Sequence, residues 1–108
     1  MNEKYNGWTN FETWLCNLWL TEWRLTGFDF FSEEEAEEAA RVDDDDRFRF
    51  VCLLAERIQQ QIEEFEDQQN CCYDLYADLL HASMARIDWY DIAESWLYDL
   101  VEEVKRNA

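Results

Sequence analysis

The amino-acid sequence predicts an all-α protein, about five helices in one compact domain over residues 1–108. Three observations predict it. The chain has no proline and two glycines, Gly7 and Gly27, whereas an all-β protein needs many turns built from Gly, Pro, Asn and Asp. Apolar residues recur at intervals of three and four through most of the chain, the period of a helix buried on one face. And 48% of the residues are hydrophobic, with six Trp, five Tyr and seven Phe, enough to fill a core at this length.

The first helix opens at Thr9-Asn10-Phe11-Glu12, where Thr and a Glu three residues on predict a capping box. It is expected to run through Phe11, Trp14, Leu15, Leu18, Trp19 and Trp23, with Trp14, Leu18 and Leu25 on its inner face and Gly27 as a left-handed stop. Apolar over more than half its girth, it is expected to be central. Phe28-Asp29-Phe30-Phe31 reads as an aromatic link tucked into the core. Ser32 and Glu35 predict a second capping box, and the acids that follow complement the helix dipole. That second helix has only a thin apolar side of Ala36, Ala39, Ala40 and Val42.

Asp43, Asp44, Asp45 and Asp46 read as a loop and N-cap. The third helix is expected over about 47–66, with a core stripe of Val51, Leu54, Ile58, Ile62 and Phe65. Residues 67–70 read as a polar corner, and a fourth helix covers about 73–86 with Tyr76, Leu79, Leu80 and Met84 inward. Asp88 and Asp91 read as the cap and its third-position partner for the last helix. Trp89, Ile92, Ala93, Trp96, Leu97, Leu100, Val101 and Val104 then form an unbroken helical stripe. The first, third and last helices are expected to build the core.

Charge is the most unusual property. The chain has 26 Asp and Glu against 9 Lys and Arg, a net charge of -17. An acidic chain poor in aromatics would read as disordered; this one has the aromatics of a folded domain, so it holds a large negative surface in place despite self-repulsion. No apolar run reaches membrane-spanning length. The opening lacks a basic stretch followed by an apolar one, so no secretory leader is expected, and the expected compartment is a reducing cytoplasm. The four cysteines then read as free thiols. Cys16 and Cys52 lie within predicted helices as small hydrophobes, and the adjacent pair Cys71 and Cys72 suits neither a relaxed disulfide nor a spaced metal motif.

No catalytic set is visible. The single histidine, His81, has no predicted nucleophile or orienting partner, and no G-x-S-x-G, phosphate-cradling glycine loop or H-E-x-x-H occurs. The aspartate run does not make a calcium loop either. Counted from Asp43, Arg47 and Phe48 stand at the fifth and sixth positions, where a ligand and a glycine are needed. No cofactor and no metal are expected.

Ten acids, from Asp29 to Asp46, face a single base in that stretch, Arg41. Carboxylates three and four residues apart on a helix lie about 5–6 Å from one another. A DNA strand carries one phosphate per ~3.4 Å of axis, so rows of carboxylates approximate a phosphate track. The densest candidates are Glu33, Glu34, Glu35, Glu37, Glu38 and Asp43, Asp44, Asp45, Asp46. Asp91, Glu94, Asp99, Glu102 and Glu103 on the last helix come second, and Glu63, Glu66 and Asp67 form a further row. The expected partner is a basic DNA-binding protein, met by steered, salt-dependent association, with no direct binding of nucleic acid and no membrane contact. Trp and Tyr at the surface, Tyr90 and Tyr98 among them, would serve as interface anchors for such a partner or for a homodimer.

Gly7-Trp8-Thr9-Asn10-Phe11-Glu12-Thr13-Trp14, followed by Leu18-Trp19-Leu20, resembles the opening of a family of small proteins encoded by phages and other mobile elements, with a G-W-x-N-[YF]-E-T-W signature leading into L-W-[LI]. Residues 87–94 resemble a second block of that family, near N-W-x-E-I-A, with Asp88 and Asp91 in place of its Asn and Glu. The two blocks cover about a quarter of the chain. A second, compositional resemblance is to acidic helical phage inhibitors that mimic DNA and block restriction enzymes or CRISPR complexes; it carries over no individual residue. The first resemblance implies an origin in a mobile element more than a mechanism; the acidic surface and the second resemblance lead to the expectation of an inhibitor of a host DNA-targeting defence system. A shape-based inhibitor or a small structural or adaptor protein of a phage particle is the alternative.

Overall fold

The chain begins with a turn that its sequence demands. Tyr5 and Trp8 exchange backbone hydrogen bonds of 2.7 and 2.8 Å. Asn6 and Gly7 between them stand at φ of 48° and 87°, the left-handed pair of a two-residue reverse turn, for which Asn-Gly is the favoured dipeptide. The computed structural model describes residues 5–69 and 81–107, with side chains for all of these except 65–69. The inward positions expected for Phe65, Tyr76, Leu79 and Leu80, and the setting of Cys71 and Cys72, lie outside the described residues.

Helix α1 spans Phe11–Glu22, a 3-10 turn Gly27–Asp29, α2 Glu33–Arg41, α3 Asp44–Gln69 and α4 Trp89–Asn107. Residues 81–84 are helical as well. The fold is all-α, a single compact domain, and among the described residues the one β-type pairing is the Tyr5–Trp8 bridge.

Helix α4 is the hub. Ile92, Ala93, Leu97, Leu100 and Val101 are at most 2% exposed, and α2 and α3 pack along it. Leu54, Ala55 and Ile58 supply the α3 side, with Phe50 and Val51 above them. Helix α2 meets α4 through Ala36 and Ala39, 1% and 0% exposed; residues this small let two helix backbones approach closely. The core is therefore built by α2, α3 and α4, not by the first, third and last helices. Helix α1 is peripheral. Only Thr13 and Leu20 are buried on it, while Leu18, Trp19 and Trp23 are 40%, 55% and 52% exposed. Trp14 and Leu15 are half-buried.

Two helix boundaries differ from expectation for local reasons. Helix α1 stops at Glu22, five residues before Gly27. Arg24, at φ 63°, takes the left-handed position: its N–H donates to the Thr21 carbonyl at 2.9 Å, and Leu25 N–H to Leu20 at 3.2 Å. That pair of bonds, with buried Leu20 under Leu25, is a Schellman stop. Gly27 has another task. A Cβ there would stand 2.8 Å from Leu100 Cδ1, so the glycine lets the 3-10 turn lie against α4. In the aspartate run, Asp43 caps α3 by accepting from Asp46 N–H at 2.9 Å. Asp44, Asp45 and Asp46 are the first turn of the helix rather than a loop. At its other end α3 continues through Gln69, so residues 67–69, expected as a corner, are helical.

Polar pins lock the linkers. The Ser32–Glu35 capping box forms as predicted, at 2.9 and 3.2 Å. Arg57 of α3 reaches across to Glu35 with both terminal nitrogens at 2.8 Å and donates to the Phe30 carbonyl at 2.7 Å. Its guanidinium lies 5.4 Å from the Phe31 ring centroid. Phe31 is buried and Phe30 half-buried, but Phe28 is 41% exposed and does not tuck in. Arg47 closes the end of α2 by donating to the carbonyls of Ala39 and Val42 at 3.1 and 3.0 Å.

Candidate functional site

The carboxylates predicted to face a partner divide into two sets. Some are spent inside the fold. Glu35 is held by Arg57 and Ser32, and its carboxyl is drawn down to about 2 by the Arg57 hydrogen bonds first and the Ser32 backbone second. Asp43 caps α3, and Asp44 pairs with Arg47 at 3.2 Å. Asp91 accepts from the Thr9 N–H at 2.8 Å, and Glu103 pairs with Arg106 at 3.2 Å. The others are exposed and have no intramolecular partner among the described residues: Glu33, Glu34, Glu37, Glu38, Asp45, Asp46, Glu94, Asp99 and Glu102. Glu63 is exposed but accepts from Gln59 at 2.9 Å, and the side chains of Glu66 and Asp67 lie outside the described residues.

The free acids on α2 are held firmly. Ala36 and Ala39 are buried against α4, the Ser32–Glu35 box and Arg57 fix the start of the helix, and Arg47 fixes its end. Glu33, Glu34, Glu37 and Glu38 thus project from a helix secured at both ends. The structure also brings two of the sequence-predicted rows to neighbouring grooves that share Phe28. One, about 460 Å³, runs between the 3-10 turn and α4 and is lined by Leu25, Phe28, Trp96, Asp99, Leu100 and Glu103 among others. The second, about 500 Å³, has Glu33 and Glu37 of α2 facing Val104 and Lys105 of α4. Nothing in the sequence connects Glu33 with Asp99; the packing of α2 and of the 3-10 turn against α4 does.

Tyr90, Glu94, Tyr98 and Glu102 form a row at four-residue spacing on the open side of α4, with the tyrosines 55% and 67% exposed as expected of surface aromatics. An apolar cleft of about 370 Å³ lies along α1, lined by Phe11, Leu15, Cys16 and Trp19 together with Ile62 and Met84. This cleft was not legible from sequence, where α1 was expected to be central rather than peripheral. Burial raises the Cys16 thiol to about 11, so it stays protonated and unreactive at neutral pH.

The segments Gly7–Trp14 and 87–94, far apart in sequence, meet in one hydrogen-bonded junction. The N-cap of α1 is Asn10, not Thr9: its Oδ1 accepts from Thr13 N–H at 2.9 Å and from the Thr13 hydroxyl at 2.7 Å, while its Nδ2 donates to the Arg86 carbonyl at 2.7 Å. Thr13 in turn accepts from Asp88 N–H at 2.9 Å. Thr9 places its hydroxyl between Asp88 and Asp91 at 2.8 and 2.9 Å. Asp88 caps α4 as predicted, accepting from Asp91 N–H at 3.2 Å. Glu12, expected to close a capping box with Thr9, pairs instead with Arg86 at 3.2 Å. These residues join the start of α1 to the start of α4, a structural role.

Fold and surface define a small all-α domain with exposed, unpaired acids on α2, α3 and α4. The chain belongs to a family of unknown function, DUF7249, whose model matches residues 1–107. Comparison with curated proteins and with solved structures found no match. Among the described residues no helix is long and apolar enough to cross a membrane, and no group of three or more His, Cys, Asp and Glu is placed to hold a metal ion.

Proposed function

We propose that this protein is a phage or mobile-element inhibitor of a host DNA-targeting defence system, anti-restriction or anti-CRISPR, acting in the host cytoplasm. It occupies a basic DNA-binding cleft with carboxylates in place of phosphates. One observation carries the reading: Glu33, Glu34, Glu37 and Glu38 are exposed and unpaired on a helix pinned at both ends. A helix backbone that needs no ordering on binding lowers the entropic cost of presenting these charges, and a clustered negative surface speeds encounter with a basic cleft. No covalent chemistry and no cofactor enter this mechanism. The resemblance to phage-encoded proteins supplies the setting.

The test is charge reversal. Glu33, Glu34, Glu37 and Glu38 are replaced together by Lys, helicity is checked by circular dichroism, and protection of phage DNA against restriction or CRISPR interference is measured in cells. Loss of protection with helicity kept is the expected result; full protection by a folded variant overturns the mimic mechanism.

The apolar cleft along α1 favours a second reading, an inhibitor that locks its target by shape. Aromatic anchors in a cleft dominate interfaces of that kind. Binding would then depend weakly on salt and would be lost on Trp19→Ala rather than on charge reversal.

A further inference from the structure

We propose that the groove between the 3-10 turn and α4 receives an arginine side chain from the basic partner. This inference rests on the reading of the acidic face as an interface for a basic protein. The groove, about 460 Å³, is lined by apolar Leu25, Leu100 and the part-exposed Phe28 and by two carboxylates, Asp99 and Glu103. Among the described residues, no Lys or Arg lines it. The adjoining groove is different: Arg41 and Lys105 line it along with Glu33 and Glu37.

Within the first groove the carboxylates are not equivalent. Glu103 is engaged by Arg106 at 3.2 Å and Asn107 at 3.4 Å. Asp99 is exposed and makes no intramolecular bond. A ligand with a long apolar stem and a cationic head satisfies both features, the stem along Leu25 and Leu100 and the head at Asp99. A planar guanidinium does more than an ammonium here, since it stacks on the Phe28 ring while offering a fork of N–H donors to one carboxylate. A second copy of this chain is a poor occupant. Each copy carries a net charge of -17, and two such surfaces repel.

The groove is also built rather than incidental. Gly27 sets the 3-10 turn against α4 with no room for a Cβ, and the Thr26–Asp29 capping box, 2.7 Å from Thr26 N to Asp29 Oδ2, holds the turn that presents Phe28. Phe28 stands outside the buried core cluster and is 41% exposed.

The experiment is calorimetric titration of the full chain with an acetylated octa-arginine peptide and with octa-lysine of equal charge, at about 50 mM and about 300 mM salt, where screening lengths differ by more than two-fold. Phe28→Ala and Asp99→Asn are compared with Asp45→Asn, which removes the same single charge from an acid that does not line the groove. Octa-arginine is expected to bind more tightly than octa-lysine. Phe28→Ala and Asp99→Asn should each weaken it about five-fold or more, and Asp45→Asn less than about two-fold. In amide NMR spectra, Gly27 and Leu100 should shift during the titration.

Equal losses for Asp99→Asn and Asp45→Asn, with none for Phe28→Ala, would mean the peptide reads net charge alone. The groove would then be overturned and the acidic-face reading left standing. No binding of either peptide at the lower salt would overturn both. Self-association in sedimentation that Phe28→Ala abolishes would make a second copy the occupant and also overturn the proposal.

Discussion

Arg57 and Glu35 join two helices by a pair of 2.8 Å hydrogen bonds across 22 residues of sequence. The bond pattern fixes more than the pair. Glu35 simultaneously closes the α2 capping box, and Arg57 holds the Phe30 carbonyl. Breaking this one interaction therefore loosens the helix that carries the most acidic part of the surface.

The pair makes a pH prediction. The Glu35 carboxyl lies near 2 in the folded protein against an ordinary value of 4.5. A depressed carboxyl contributes stability that is full above its unfolded value and is lost as pH falls through the folded one. Glu35→Gln is thus expected to be less stable than the parent at pH 7, and the gap should close between about pH 4.5 and 2. Both side chains are about one-third exposed, so the neutral-pH deficit is about 1 kcal/mol. Urea melts of parent and variant across that range measure it; a gap independent of pH would contradict the assignment.

Thr13 is the buried centre of the junction between α1 and α4. Thr13→Val keeps its shape but leaves the Asp88 N–H without an acceptor, at a cost of about 1–3 kcal/mol. Thr13→Ser restores the hydroxyl and should recover most of that stability. Thermal melts of the two variants decide it, and equal destabilisation by Ser and Val would rule out the hydrogen bond as the cause.

Gly27→Ala is expected to destabilise the fold by about 1–3 kcal/mol, the usual range for overpacking, because the new methyl meets Leu100 Cδ1 at 2.8 Å. Gly27 does not have a positive φ, so the effect is steric. Leu100→Ala alone should also destabilise, through a cavity. The double variant should be more stable than the sum of the two losses predicts, and a double-mutant cycle measures the coupling. Strict additivity would contradict the contact.

Self-repulsion at a net charge of -17 weakens as salt shortens the screening length from about 10 Å at 0.1 M to about 3 Å at 1 M. Tm should rise with sodium chloride over that interval by several degrees, about what 1 kcal/mol gives a domain of this size. The reversed variant Glu33→Lys/Glu34→Lys/Glu37→Lys/Glu38→Lys should show a smaller rise. An unchanged or falling Tm for the parent would show that the acids are already compensated.

Helices whose apolar residues keep one face were legible from sequence. Ile92, Ala93, Leu97, Leu100 and Val101 of α4 and Leu54 and Ile58 of α3 are buried as their spacing requires. The Ser32–Glu35 box and the Asp88 cap were legible because their partners are local, but Asp91 does not reach back to the Asp88 N–H, which donates to Thr13 instead. Helix α1 was not, since aromatics surround it and leave no preferred side; amount of apolar surface is a poor guide when α2 can offer alanines that fit closer. The left-handed Arg24 had no signal, because Gly27, three residues on, looked the better stop. For the candidate site, the acids were evident as residue types. Which of them are consumed internally, as Glu35 and Asp91 are, depends on Arg57 and Thr9, which only the tertiary fold brings near. The grooves around Phe28 had no sequence signature.

The most direct test of the central claim is capture from host lysate on the immobilised protein at low and at high salt, with duplex DNA as competitor and mass spectrometry as readout. The expected capture is a DNA-targeting nuclease or surveillance complex that is held at low salt, released at high salt and displaced by duplex DNA. Partners that stay bound at high salt and ignore DNA, or recovery of the protein alone, would contradict it.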